Sequence, residues 1–256
     1  MKRTVVITGF LTTFLLSSLA AFAQSQSRSE ILKELRAKRA EADALEKLYL
    51  APSEEDLMRY AEFLKLPNTG IIRLLPREKF DDVMYKDNDA MYKGIKKTIQ
   101  MRGGGSYYSF VRKTQEYGYG SDLSLERNQF KVGFAGADYG MLTDIGDVEI
   151  ENVAPDNKAV NALGSYRAAR EEQVARVEYR KFAQGAEIDG THVYSRVPMR
   201  SNATYVLRSI NYLSSDVLVA FRVVRVDSDG SATIVWKIIK KFSTPKLNPK
   251  EPTVIG

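Results

Sequence analysis

The chain has 256 residues, a formal net charge of +6 at pH 7, one histidine and no cysteine. That inventory excludes thiol catalysis, iron–sulfur ligation, multi-histidine zinc sites and two-histidine, one-carboxylate iron sites. The 38 basic side chains are interspersed with 32 acidic ones and form no stripe, so no nucleic-acid partner is expected.

Lys2 and Arg3 precede an uncharged run from Thr4 to Phe22, which closes on Ala21-Phe22-Ala23. A positive start, an apolar centre and a small-x-small end are the pattern of an export signal over 1–23, with Gln24 as the new N-terminus. The run is nearly long enough to span a bilayer, but its Thr and Ser content and its Ala-x-Ala end favour cleavage over anchoring. The expected protein is therefore exported, periplasmic or extracellular, with no membrane span after cleavage. Without Lys2 and Arg3 its charge is about +4. Without cysteine, its stability has to come from apolar burial.

Ser27-x-x-Glu30 is a capping box, and Ile31, Leu35, Ala42, Leu45 and Tyr49 follow at heptad-like spacing interrupted by Lys38. Two heptads are too few for a coiled coil, so a helix packed on its own domain is the simpler reading. Ala51-Pro52-Ser53 breaks it. Ser53 caps a second helix with Glu54, Glu55 and Asp56 against its positive end and Leu57, Tyr60, Ala61 and Leu64 on its inner face. The pair is expected to form a helical hairpin over 24–67.

A largely antiparallel α+β domain is expected over 68–244, either as one body or as two similar halves split near 155–190. Strands are expected at Ile71–Leu75, Ile95–Met101 (with a short helix as the alternative), Ser106–Thr114, Leu123–Phe134 and Val148–Val153, with a charged, mostly loop segment from Arg77 to Tyr92. Helical composition returns from Pro155 to Leu163 and from Tyr166 to Ala183, the second closed by Gly185. Strands then follow at Thr191–Val197, Thr204–Tyr212, Asp216–Val226 and Ala232–Phe242. Asp227-Ser228-Asp229-Gly230 is a strong hairpin turn between the last two. Val217, Val219, Phe221 and Val223 alternate with Leu218, Ala220 and Val224, so that strand should be central and covered on both faces. Trp236 falls on the Ile234-Trp236-Ile238 face and is expected to be buried against the helical layer. The tail over 245–256, with Pro245, Pro249 and Pro252, is expected to be extended and loosely held. Ser121-Asp122-Leu123 is echoed by Ser215-Asp216-Val217, a match that turn chemistry explains without a repeat.

Few motifs carry chemistry. His192 lies in a strand-like run without a nucleophile elbow, which favours a structural or surface role. Gly103-Gly104-Gly105-Ser106 lacks the endings of phosphate loops and runs into a strand. Asp87-Asn88-Asp89 and Asp227-x-Asp229-Gly230 lack the closing glutamate of a calcium loop. No metal site, cofactor or catalytic residue is assigned.

The unusual stretch is Gly103–Gly146, which holds nine of the seventeen glycines together with Tyr107, Tyr108, Tyr117, Tyr119 and Tyr139. Phenol rings on glycine-flexed strands stack on sugars or aromatic ligands, although the same rings also serve strand packing. Tyr107, Arg112, Tyr117, Tyr119, Asp122 and Tyr139 are the candidate binding residues, with Arg102 as a further charged neighbour. The function expected is a non-catalytic binding or assembly module of the cell envelope, with an envelope glycan or a protein as partner. The alternatives are a hydrolase working through carboxylates and tyrosines, and a subunit that docks through its N-terminal helix.

Overall fold

The computed structural model describes residues 28–41, 43–45, 47–80, 105–115, 117–118, 120–134 and 137–248. The leader, the strand expected at Ile95–Met101, the Asp87-Asn88-Asp89 motif, Arg102 and Tyr119 lie outside them. The chain divides between Tyr49 and Leu50 into two units. In the first, residues 28–41, 43–45 and 47–49 are helical, and Glu34 and Lys38 pair across one turn at 2.6 Å.

The second unit is α+β. It starts with α1 (Glu54–Arg59), which Ser53 caps by accepting from the Asp56 amide at 3.1 Å. The helix is interrupted at Tyr60, whose φ and ψ are -102° and 14°, and α2 (Ala61–Leu64) follows. The buried face is therefore Asp56, Tyr60 and Phe63, and Leu57, expected inside, is exposed. Asp56 is drawn in by a two-pronged bond to Arg225, whose Nε and Nη2 lie 2.8 and 3.1 Å from its oxygens.

Five antiparallel strands form the main sheet in the order β1 (Thr69–Leu74), β11 (Ala232–Lys241), β10 (Ser215–Val226), β9 (Thr204–Asn211) and β5 (Tyr139–Gly146). A second antiparallel sheet holds β2 (Tyr107–Tyr108), β3 (Leu123–Glu126), β4 (Gln129–Lys131) and β8 (Arg196–Pro198). The ribbon of β6 (Ala186–Ile188) and β7 (Thr191–Val193) stands apart. The helices are α3 (Arg77–Phe80), a 3-10 turn at Ile150–Asn152, α4 (Lys158–Ser165) and α5 (Glu172–Gln184).

Strand alternation builds three layers. Val217, Val219, Phe221 and Val223 of β10 pack with Tyr108, Leu125 and Phe130 of the smaller sheet and with Phe110 in the turn after β2. Leu218 and Ala220 pack on the other side with Val160, Leu163, Ala175 and Phe182 of α4 and α5. The central strand is covered on two faces, as its double alternation requires. Trp236 is buried, but on the opposite side from the one expected. Its ring meets Tyr108 and Phe110 at 5.9 and 5.3 Å between the sheets, while Val235 faces the helices. Gly70 sits opposite Trp236 in the ladder, and a Cβ there would lie 2.4 Å from the indole.

Other differences have local causes. The run 123–134 is two strands, because Arg127 and Asn128 take φ of 50° and 57° in a tight hairpin turn. Ser106–Thr114 is strand only at Tyr107–Tyr108, since Phe110–Lys113 turns back and closes a Ser109–Thr114 bridge. Val148–Val153 is no strand. The strand precedes it as β5 and ends at Gly146, whose φ is 84° and whose amide donates to Asp144. Thr191–Val197 splits between β7 and β8, which join different sheets. Arg77–Phe80 is a helical turn instead of loop. The described part of the tail, residues 245–248, is held rather than loose, and the rest lies outside the described residues. The Leu213 amide donates to Pro245 O at 3.1 Å, the Asn248 amide donates to Arg170 O at 2.7 Å, and Leu247 packs on the helical-layer core.

Candidate functional site

The residues expected from the sequence fall into three places. Tyr107 and Tyr117 come together, their rings 4.7 Å apart, with Phe134 edge-on to Tyr107 at 5.3 Å and the Arg77 guanidinium 5.9 Å from that ring. Tyr107 is buried and Tyr117 half-buried. Nearby, Asp122 is wholly buried where β3 begins, accepting from the Phe110 amide at 2.8 Å, Ser109 Oγ at 3.4 Å and Asn211 Nδ2 at 3.0 Å. Burial pushes its carboxyl up to about 6 against the pull of these donors and of Arg112. Arg112 is exposed and reaches Ser214 Oγ at 3.3 Å. Tyr139 belongs to the opposite face of the main sheet, packed against Phe182, Tyr166 and Tyr212. A ring enclosed by other rings has no face left for a ligand, so Tyr107 and Tyr139 act in packing.

A recess of the second unit lies elsewhere. A cleft of about 780 Å³ opens between the 166–170 loop and the 242–248 strap, a volume in the range of small-molecule sites. Its floor is Arg208 of β9. Nε and Nη2 bond the two oxygens of Asp216 at 2.9 Å each, while Nη1 bonds the carbonyls of Leu163 and Tyr166 at 2.8 and 2.7 Å. Both side chains of this ion pair are buried. The Phe242 ring covers the guanidinium with its centroid 3.7 Å away. The pairing follows from register. Ile210 faces Asp216 and Arg208 faces Leu218, so Arg208 and Asp216 are diagonal neighbours on the helix-side face.

The loop wall is fixed from behind. Tyr139 Oη accepts from the Ala169 amide at 2.9 Å, and Tyr212 Oη donates to Ala169 O. Tyr166 Oη donates to Glu178 at 2.7 Å and lies 2.9 Å from Tyr139 Oη. Burial raises the phenols of Tyr139, Tyr166 and Tyr212, so they stay neutral at any physiological pH. Tyr139 thus supports the cleft without lining it. The rim carries Arg167 and Arg170 on the loop and Lys246 on the strap, all exposed.

None of the cleft residues is among the six candidates of the sequence. The signal available was Arg208 inside an otherwise apolar strand run, with an acidic residue at the start of the next strand. A charge at such a position demands a buried partner. His192 is exposed on β7, and among the described residues no group of three His, Cys, Asp or Glu is placed to hold a metal ion. No described helix is long and apolar enough to cross a membrane. No family model matches the chain, and no curated protein or solved structure is significantly similar to it.

Proposed function

We propose that this chain is an exported, non-catalytic binding module of the cell envelope, and that its ligand occupies the cleft beneath the C-terminal strap. The observation that carries the reading is the state of the cleft floor. Its carboxylate, Asp216, spends both oxygens on Arg208, and Arg208 spends four N–H groups on Asp216 and two carbonyls. Carboxylate hydrolysis needs two carboxyl groups across the scissile bond, one of them able to exchange a proton. Asp216 is the one acid among the described residues that line the cleft, and burial drives the phenols of Tyr166 and Tyr212 away from ionisation. A site with shape and fixed charge but no mobile proton binds better than it reacts. The charged start, apolar run and Ala21-x-Ala23 end support export.

The test is incubation of the 24–256 protein with envelope polymer, followed by pull-down and fragment analysis by mass spectrometry. Retention of polymer with unchanged chain length is the expected result. Released fragments that disappear with Asp216→Asn would establish the hydrolase instead. A second reading, docking through the N-terminal helix, draws on the exposure of Ile31, Leu32, Leu35, Leu45 and Leu48. It requires that loss of residues 24–49 abolish assembly.

A further inference from the structure

Resting on the reading of the cleft as a ligand site, we infer that its ligand is a small polyanion bearing two or more phosphate or carboxylate groups. The charge around the recess is unbalanced. Arg208 and Asp216 cancel on the floor, while Arg167, Arg170 and Lys246 make no ion pair or side-chain hydrogen bond among the described residues. Several arginines elsewhere in this unit are paired with acids. Arg73 meets Asp227 and Asp229, Arg200 meets Asp144, Arg222 meets Asp147 and Glu149, and Arg225 meets Glu55 and Asp56. Three uncompensated cations around one recess set a local positive potential there.

These cations come from two segments that the fold holds at fixed separation. The Asn248 amide bonds Arg170 O at 2.7 Å, which joins strap to loop directly. Pro245 O takes the Leu213 amide at 3.1 Å, and Ala169 is gripped on both its N–H and C=O by Tyr139 and Tyr212. Backbone so tethered presents the guanidinium and ammonium groups around a volume rather than on a flat patch, which suits a discrete ligand better than a membrane surface. Guanidinium forks match phosphate and carboxylate oxygens in pairs.

Isothermal titration of the 24–256 protein with tripolyphosphate, citrate and a neutral glucose oligomer tests this. The two anions should bind one per chain, weakening as salt rises, and the neutral oligomer should not bind. Arg170→Gln and Lys246→Gln should each lower anion affinity by roughly tenfold, about one charge-assisted hydrogen bond apiece, while Arg180→Gln on α5 leaves it unchanged. Anion binding that survives the Arg167→Gln/Arg170→Gln/Lys246→Gln variant would overturn the assignment. So would sedimentation with anionic lipid vesicles in the absence of soluble-anion binding. A neutral glycan bound in the cleft, unaffected by the triple variant, would overturn the polyanion and leave the binding module standing. If neither anion, vesicle nor envelope polymer is retained, both readings fail.

Discussion

Asp122 is a carboxylate placed where its charge is costly, and the sign of that cost can be measured. Its carboxyl is raised from the ordinary 3.8 to about 6 by burial. Between those values the unfolded chain has released the proton while the folded chain retains it. Stability should therefore fall as pH rises from about 4 to about 6 and stay lower above, by about 3 kcal/mol. Asp122→Asn removes the titration, so urea unfolding at pH 4 and pH 7 should differ less in the variant than in the parent. An unchanged pH difference would show that Asp122 is ionised throughout. The Arg208–Asp216 pair works in the opposite sense, because each member neutralises the other. Asp216→Ala would leave a buried guanidinium with its carbonyl partners alone, and a loss of about 3–5 kcal/mol is expected in the same assay. Gly70 is a steric case. Gly70→Ala would drive a methyl into the indole of Trp236, so thermal unfolding should fall clearly below the parent.

At the scale of elements, β10 and β11 hold the layers together, and Trp236 is the largest side chain wholly buried in them. Trp236→Ala should destabilise by about 3–5 kcal/mol. Native tryptophan emission should be blue-shifted and resistant to acrylamide, and red-shifted, freely quenched emission would contradict the packing between sheets. The last three strands were legible because long runs of β-branched residues met a strong Asp-x-Asp-Gly turn. What alternation could not supply was sidedness. It placed Val235 and Trp236 on opposite faces, but which face met helices depended on where β2, β3, β4 and β8 fold back. A turn and a strand were lost for a related reason. The Arg127-Asn128 turn carries no glycine, and β5 begins with Tyr139-Gly140, where glycine reads as a turn. Gly140 is needed because a Cβ there would lie 2.4 Å from Arg208 O. The candidate site suffered most. Tyrosine density marked Tyr107 and Tyr139, which pack, whereas the cleft is assembled from a loop, a strap and one strand arginine that share no local pattern.

At the scale of the whole molecule, a double-faced sheet gives the second unit a core on each side, so that apolar burial does the work in a chain without cysteine. The helical layer and the tail then create the recess at its margin. Expression with its own leader should yield a product beginning at Gln24 by N-terminal sequencing and intact mass, recovered outside the membrane fraction. A chain retaining Met1 and sedimenting with membranes would contradict export. The claim that joins fold to function is that ligand enters between the 166–170 loop and the strap. Hydrogen exchange read by mass spectrometry, on the 24–256 protein with and without an extract of the exported compartment, tests it most directly. The Asn248 amide is already hydrogen-bonded across to the loop and the Ala169 amide to Tyr139 behind it, so a seated ligand should slow exchange further in peptides covering 166–170 and 242–248. Added protection confined to those peptides is the expected result, and protection appearing instead across Gly103–Gly146 would contradict it.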